Sequence, residues 1–236
     1  MKVLMIDVGG THVKLMASGH EGYRKIPSGP KLSAATMVRK VKEALEGWDY
    51  EAVTIGFPGV VSNGKLVHEP YNLGGGWLKH DFKKSLKAPV RFINDAAMQA
   101  LANYEKGRML FLGLGTSTGC AIVVDDVVVP MEVGRLRLSS GRQFLEELNK
   151  EALKRRGRKK WLASVHEAVN ILQDLFTPDD TVLGGGNSKE VDPLPKGCRQ
   201  RHNQTAFLGA LRLWPGADMY AESYGSSWRI VQRKKK

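Results

Sequence analysis

Two glycine-rich turns carry hydroxyl and charged side chains of the kind that bind phosphate groups. The first follows an apolar run at residues 1–6 and reads DVGGTHVK over residues 7–14. The second follows an apolar run at residues 109–112 and reads GLGTSTG over residues 113–119. Glycine permits the positive φ of tight turns and lets backbone N–H groups approach an anion closely. We therefore predict two strand–turn–strand loops around a phosphate chain, which favours phosphoryl transfer over nucleotide binding alone.

The two turns differ from the common phosphate-binding motifs. Neither contains the lysine of G-x-x-x-x-G-K-[ST], and the second has Thr118 where G-x-G-x-x-G requires its last glycine. In the first turn, Asp7 is a candidate Mg²⁺ ligand, because this ion prefers oxygen ligands. Thr11 could donate to a phosphate and Lys14 could neutralise it. The structural alternative is an ordinary β-hairpin with an Asp-Gly type of turn.

Two further segments could complete a site. The apolar run at 90–93 ends at Asn94-Asp95, where a helix follows. Asn and Asp are preferred helix caps, but a carboxylate at a strand end could also serve as a general base. The run at 181–183 ends in three glycines, 184–186, whose use would be close approach to a ligand or to a neighbouring backbone.

The bulk composition is that of a soluble globular enzyme. The 236 residues suffice for one domain or two small lobes, with 42% hydrophobic and 25% charged residues. No apolar stretch approaches the length of a transmembrane helix, and the N-terminus has no secretory pattern. The two cysteines lie far apart, which suggests reduced thiols and a cytoplasmic protein without a membrane partner.

The net charge of +12 has two interpretations. Basic residues cluster in KRRGRKK at 154–160 and in RKKK at the C-terminus. They could form a solvated surface with a disordered tail at 231–236, or they could bind a polyanion such as a phosphate polymer or nucleic acid. The sequence has no helix-turn-helix, zinc-finger or RNA-recognition signature, which disfavours nucleic acid.

Hydrophobic periodicity predicts an alternating α/β chain. Strands are expected near residues 2–7, 12–17, 22–26, 52–56, 90–93, 109–113, 120–124 and 127–130, and helices near 33–46, 95–103, 142–155, 161–175 and 203–213. The two glycine turns lie in comparable positions, so we expect two similar lobes at 1–108 and 109–236, with the C-terminal helix packed back on the first lobe.

The order of the motifs resembles the ROK sugar kinases of the actin, hexokinase and Hsp70 superfamily, and in particular their glucokinases and polyphosphate glucokinases. The matching segments are DVGGTHVKL (7–15), IGFPGVV (55–61), YNLGGGW (71–77), INDA (93–96), LGLGTSTG (112–119), MEVG (131–134) and LGGGN (183–187). The resemblance implies a two-lobed actin-like ATPase fold, related to ribonuclease H, with a central cleft. In that cleft a phosphoryl group would pass from ATP or inorganic polyphosphate to the primary hydroxyl of glucose or a related hexose, with Mg²⁺ present.

The resemblance also implies roles for individual residues. Asp95 would be the general base. The residues that would contact the sugar are Gly59, Asn72, Asn94, Asp95, Glu132, Arg135 and Glu146. The residues that would contact the donor are Asp7, Gly9, Gly10, Thr11, Lys14, Gly113, Gly115, Thr116, Gly184, Gly185 and Gly186, with Asp7 also holding the metal.

Two departures from the family pattern bear on function. Arg135 stands where the family usually has His, which puts sugar specificity and turnover in question. The cysteine-rich zinc motif of many members is absent, so we expect no structural zinc. The alternatives to a glucose kinase are a kinase of an N-acetylated amino sugar and a non-catalytic sugar-binding regulator. Dimers are common in the family, so a homodimer is among the expectations.

Overall fold

The computed structural model describes residues 1–201, 206–216 and 219–232. Its strands are β1 (Val3–Val8), β2 (His12–Ala17), β3 (Arg24–Pro27), β4 (Ala52–Phe57), β5 (Val61–Ser62), β6 (Lys65–Leu66), β7 (Val90–Asn94), β8 (Met109–Leu114), β9 (Thr118–Val124), β10 (Val127–Met131), β11 (Asp180–Gly184), β12 (Cys198–Gln200), β13 (Met219–Tyr224) and β14 (Ser227–Gln232). Its helices are α1 (Ala34–Ala44), α2 (Phe82–Leu86), α3 (Asp95–Asn103), α4 (Phe144–Glu147), α5 (Lys150–Arg156), α6 (Arg158–Phe176) and α7 (Ala206–Leu211). None of these helices is long and apolar enough to cross a membrane.

The strands form two large sheets and a small hairpin. The first sheet has the order β3-β2-β1-β4-β7, and the second has the order β12-β11-β8-β9-β10-β14-β13. In each sheet an antiparallel hairpin, β1–β2 or β8–β9, is joined to parallel strands on its other side. The central strands β1, β4 and β8 are almost wholly buried, as expected for strands covered on both faces. The two glycine turns are therefore the hairpin turns of the two sheets.

Helix α3 links the two sheets. It follows β7 of the first sheet directly and also contacts β8, β9 and β10 of the second. Small residues allow the close packing: a Cβ added at Gly119 of β9 would lie 3.2 Å from the Ala96 Cβ of α3. The N-terminus of α3 is therefore held between the sheets.

Helix α7 packs against α3 and against β1 and β4 of the first sheet. The Thr54 hydroxyl in β4 donates to the carbonyl of Ala210 in α7 (2.9 Å) and accepts from the Trp214 indole N–H (2.9 Å). A Cβ at Gly209 would lie 2.0 Å from the Met98 carbonyl oxygen, so only glycine permits this crossing of α7 over α3. Late residues of the chain thus complete the packing around the first sheet.

The described elements differ from the predicted ones in several places. The helix expected at 142–155 is two helices, because the Asn149 side chain accepts from the Ala152 N–H and begins α5 as a new helix. The hairpin β13–β14 was not predicted, and it includes Val231 and Gln232, which were expected to begin a disordered tail. Pairing with β13 orders these two residues, whereas residues 233–236 lie outside the described part. The helix predicted at 203–213 is observed as α7, and residues 202–205 lie outside the description.

Candidate active site

The first glycine turn is a tight hairpin between β1 and β2. The Gly9 N–H donates to the His12 carbonyl (3.1 Å), and a Cβ at Gly9 would lie 2.9 Å from that oxygen. Asp7 on β1 pairs in register with Lys14 on β2, with 3.6 Å between Asp7 Oδ2 and Lys14 Nζ. Burial raises the pKa of Asp7, and the Lys14 ammonium opposes that rise. The turn thus holds a carboxylate and an ammonium side by side at its base.

The two glycine turns meet. The hydroxyl oxygens of Thr11 and Thr116 lie 3.0 Å apart, within hydrogen-bond distance, although the residues are 105 positions apart in the chain. A Cβ at Gly10 would lie 3.5 Å from the Thr116 methyl carbon. The hydroxyls and backbone of both turns therefore converge on one place between the sheets.

The glycines 184–186 form a third glycine turn, which packs against the second. Gly184 pairs with Gly113 in parallel register. Gly185 has a φ of +82°, and a Cβ there would lie 2.3 Å from the Leu114 carbonyl oxygen. The same Leu114 carbonyl oxygen accepts a hydrogen bond from the Asn187 N–H (2.9 Å), which joins the segment after the third turn to the second turn. Gly186, by contrast, would meet no atom within 4 Å of an added Cβ.

Asp95 lies at the first position of α3, at the same sheet edge as Asp7. The register places Asp7 opposite Gly56 and Asn94 opposite Phe57 on parallel strands, so both acids lie at the carboxyl ends of their strands, where ligands of open α/β sheets bind. Burial raises the pKa of Asp95 to about 7, with smaller contributions in the same direction from the Asp7 and Glu132 carboxylates. Three carboxylates therefore interact electrostatically here, and Asp95 is the one whose proton is poised near neutral pH.

Asn94 caps α3 and contacts a second predicted sugar residue. Its Oδ1 accepts from the N–H groups of Ala96 and Ala97 (3.0 Å each), and its Nδ2 donates to the Gly59 carbonyl (3.2 Å). The structural and the functional interpretations of Asn94-Asp95 are thus compatible, because Asn94 supplies the cap and, within the described residues, Asp95 uses only its Oδ1 in a bond to the Ala96 N–H.

The remaining predicted sugar residues have exposed side chains. Glu132 and Arg135 are exposed after β10, and Asn72 is exposed in the turn before Trp77. The loop of Glu132 and Arg135 is tied to α4, because the Leu145 N–H donates to the Gly134 carbonyl (2.9 Å). The Glu132 carboxylate is close enough to Asp95 to raise the pKa of Asp95. Among the described residues, no such interaction links Asn72 or Arg135 to Asp95.

Glu146 and Glu147 have different surroundings. The Glu146 carboxylate accepts from the Gln143 N–H (3.0 Å) and forms a capping box for α4. Glu147 is fully buried and pairs with Arg142, Arg155 and Arg156. The capping bond gives Glu146 a structural function in addition to its predicted contact with the sugar.

Gly56 was missed in the sequence. A Cβ at this position would lie 2.5 Å from the Met98 methyl carbon and 3.6 Å from Asp7 Oδ1. The lack of a Cβ at Gly56 leaves space for the Met98 side chain of α3 near the Asp7 carboxylate. The available signal was a glycine inside an otherwise bulky, buried strand, a pattern that marks close approach of another group.

A metal ion at this edge would depend on Asp7. Among the described residues no group of three His, Cys, Asp or Glu side chains is placed to hold an ion. A single carboxylate still fits Mg²⁺, which commonly binds one or two protein carboxylates and takes its other ligands from substrate phosphates and water. The donor set therefore fits a magnesium ion that arrives with a phosphate compound.

Comparisons with known proteins agree on fold and family. The model of the ROK family matches residues 3–132. A polyphosphate glucokinase from Mycobacterium tuberculosis is 25% identical over 210 residues, covering 79% of this chain and 78% of the relative. An inorganic polyphosphate/ATP-glucomannokinase from Arthrobacter sp. strain KM aligns with a TM-score of 0.76 at 24% identity, over 88% of this chain and 96% of that one. A ROK glucokinase from Streptomyces griseus, in complex with glucose and AMPPNP, aligns with a TM-score of 0.71 at 19% identity, over 92% and 100%.

At the level of the fold, the chain is a two-lobed α/β protein of the actin-like ATPase class, as expected from its sequence. At the level of the family, the match over more than half of its length shows that the chain belongs to the ROK family.

Proposed function

We propose that this protein is a sugar kinase that transfers a phosphoryl group from ATP or inorganic polyphosphate to the primary hydroxyl of glucose or a related hexose. The observation that carries the proposal is Asp95, whose pKa is about 7 and which lies at the sheet edge shared with Asp7. A general base is most effective when its pKa is near the working pH. Two touching glycine turns beside such a base favour phosphoryl transfer over simple sugar binding.

In this mechanism Asp95 accepts the proton of the sugar hydroxyl as that oxygen bonds to the terminal phosphorus of the donor. The bond from this phosphorus to its bridging oxygen breaks, and ADP or a polyphosphate shorter by one phosphate leaves. Burial and two neighbouring carboxylates keep the Asp95 carboxylate basic. The backbone of α3 holds it in position, since the Ala96 N–H donates to Asp95 Oδ1 (2.8 Å). We assign contacts with the sugar hydroxyls to the surrounding residues, namely Gly59, Asn72, Asn94, Glu132, Arg135 and Glu146.

The donor side is assigned to the three glycine turns. Backbone N–H groups and the hydroxyls of Thr11 and Thr116 would hold the transferring phosphate, and Lys14 would offset its charge. Phosphoryl transfer depends mainly on in-line positioning and charge neutralisation, which such groups supply. A magnesium ion held through Asp7 would neutralise phosphate charge. Gly186 leaves open space beside the third turn for the remainder of the donor.

We also propose that the lobes divide near residue 108 and close around the sugar. Asp7 lies in the first sheet and Asp95 directly follows its strand β7, whereas Gly115, Thr116 and Glu132 directly follow strands of the second sheet. Closure would exclude water and so limit hydrolysis of the donor.

The test is a coupled assay for glucose 6-phosphate with purified protein, glucose and Mg²⁺, run in parallel with ATP and with polyphosphate. Turnover with either donor supports the proposal and identifies the donor. Reactions without sugar control for donor hydrolysis, and N-acetylmannosamine and N-acetylglucosamine replace glucose in a parallel series that tests the amino-sugar alternative.

Arg135 favours a second candidate, a sugar-binding regulator without turnover. Its exposed guanidinium is larger than the usual imidazole and permanently charged. Glucose binding by folded protein, with no turnover on either donor, would support this candidate. Recovery of turnover in Arg135→His would identify this residue as the cause.

A further inference from the structure

The sequence run 154–160 forms a basic ridge, defined as Lys154, Arg155, Arg156, Arg158, Lys159 and Lys160. Six of its seven residues are cationic, and Gly157 separates α5 from α6 in its middle. Within the described residues, Lys159 and Lys160 have no carboxylate within ion-pair distance, and Lys154 has only the exposed Glu151 at 3.8 Å. The ridge therefore presents a concentrated positive charge to solvent.

Helix electrostatics do not account for this charge. Three basic residues in the last turn of α5 suit the negative end of that helix. The three that follow occupy the first turn of α6, which contains no acidic residue, and there they oppose the positive end of the helix. The lysines of that first turn, Lys159 and Lys160, are therefore explained neither by helix electrostatics nor by an ion pair within the described residues.

The arginines of the ridge are ordered rather than free. Glu147, 1% exposed, pairs with Arg155 and Arg156 of the ridge and with Arg142 beside it. Arg156 also donates to the Ser164 hydroxyl (2.8 Å), and Arg155 donates to the Glu146 carbonyl (3.2 Å). One buried carboxylate thus fixes three guanidinium groups and leaves an excess of positive charge in a preorganised surface.

The two helices that carry the ridge are hydrogen-bonded at their starts to the second glycine turn and to the segment that follows the third. At the start of α5, the Lys150 N–H donates to the Gly115 carbonyl of the second glycine turn (2.8 Å). At the start of α6, the Arg158 guanidinium donates to the carbonyls of Glu190 (3.0 Å) and Asp192 (2.7 Å), just beyond the third turn. The seven residues of α5 span about 10 Å, so the ridge begins within about one short helix of the second glycine turn.

We propose that the basic ridge binds the trailing part of a linear phosphate polymer whose end phosphate reacts between the glycine turns. This inference rests on the proposed kinase function and goes beyond it by naming the surface that distinguishes a long donor from a short one. A dense cluster of cations suits a ligand that repeats its charge along a chain. Single-stranded nucleic acid is disfavoured, because its sites stack bases on aromatic side chains, whereas the ridge has none and the adjacent Trp161 is fully buried.

The test compares long-chain polyphosphate with tripolyphosphate and ATP in the variant Lys154→Glu/Lys159→Glu/Lys160→Glu. These lysines avoid the Glu147 cluster, so the fold should be retained. The control variant, Lys42→Glu/Lys83→Glu/Lys84→Glu, makes the same charge change on exposed residues of α1 and α2. We expect kcat/KM for long-chain polyphosphate to fall about tenfold or more through KM, and the salt dependence of log KM to lose a slope of about 2 for three lost contacts. Tripolyphosphate and ATP kinetics should stay within about twofold of those of the unchanged protein.

An equal loss with tripolyphosphate, an equal loss in the control variant, or no loss with the long polymer would overturn the proposal. A direct binding measurement with labelled long-chain polyphosphate separates this outcome from failure of the kinase assignment. If the protein shows no turnover on polyphosphate, loss of polymer binding in the ridge variant alone still supports the ridge, and unchanged binding refutes it. Tighter binding of a single-stranded oligonucleotide than of a polyphosphate of equal charge would overturn the choice of ligand.

Discussion

Replacement of Asp95 by asparagine should stabilise the folded protein while abolishing its turnover. The structure provides the reason, because burial and the Asp7 and Glu132 carboxylates disfavour a negative charge on Asp95. Asparagine keeps an oxygen that can accept from the Ala96 N–H, so the start of α3 should survive. The variant should therefore bind glucose and show no phosphoryl transfer.

The magnitude follows from the pKa. It rises from 3.8 to about 7, and one pKa unit corresponds to about 1.4 kcal/mol, so the charge costs the folded state at most about 4 kcal/mol above pH 7. Asp95 is buried for the most part but retains some contact with solvent, and screening there reduces this to about 2 kcal/mol. Loss of a negative charge from the first turn of α3 removes about 0.3–1 kcal/mol. The net gain of about 1–2 kcal/mol corresponds to an increase in Tm of about 2–8 °C for a chain of this size.

The sign of the pH dependence is fixed by the raised pKa. In the wild type, the neutral Asp95 carboxyl favours the folded state. This contribution to stability is fully present below pH 3.8, the pKa of the unfolded state, and is lost as the pH rises through about 7, the pKa of the folded state. The advantage of the asparagine variant should therefore be largest at pH 8 and fall to less than half by about pH 5.

The assay is thermal unfolding of both proteins at pH 8, 7, 6 and 5, together with glucose binding and the coupled kinase assay. Asp49→Asn is the matched control: a hydrogen bond from Lys2 lowers the pKa of Asp49, so that substitution should not raise Tm. An Asp95→Asn protein no more stable than wild type at pH 8, or a gain that persists undiminished at pH 5, would refute the electrostatic argument. Near-wild-type turnover would remove Asp95 from the role of base.

Three further outcomes are expected. In a pH–rate profile, the kcat/KM of the wild type should fall as the pH drops through about 7, because Asp95 becomes protonated. Glu132→Gln should move that fall to lower pH, because it removes a charge that raises the Asp95 pKa. Gly185→Ala should lower the free energy of unfolding by more than about 3 kcal/mol or prevent folding, because the positive φ of Gly185 and its contact with backbone leave no space for a Cβ. Gly186→Ala, with open space around it, should change the free energy of unfolding in urea by no more than about 1 kcal/mol. Thr54→Val should destabilise the protein by about 2–3 kcal/mol in the same unfolding experiment, because two buried partners lose their hydrogen bonds to its hydroxyl; a loss below about 0.5 kcal/mol would contradict this account.

Local features of the site could be predicted from the sequence. Each glycine turn is specified by a few adjacent residues, and Asp95 is identified by the end of an apolar strand and the start of a helix. The same local rules predicted most strands and helices, including the alternation that indicates an α/β fold. These features depend on short-range backbone chemistry, which a single sequence records directly.

Features that depend on distant contacts could not be predicted in this way. No local pattern indicates that Thr11 and Thr116 meet across 105 residues, or that Gly56 makes space for Met98. The break between α4 and α5 was missed because asparagine also occurs inside helices. Its residue type alone therefore does not show that Asn149 begins a new helix. The hairpin β13–β14 was missed because one face of its strands is polar, and its stability comes from addition to the edge of β10.

The contact between Thr54 and Ala210 has a consequence for how the chain acquires its structure during synthesis. The two residues are separated by 156 positions, so β4 leaves the ribosome long before the helix that covers it. At typical rates of about 5–20 residues per second, the first sheet waits about 8–30 s for α7. During this interval its apolar face is uncovered, and chaperones that bind exposed apolar segments would have access to it. A nascent chain halted before residue 206 should therefore be more sensitive to protease in its first hundred residues than the completed protein.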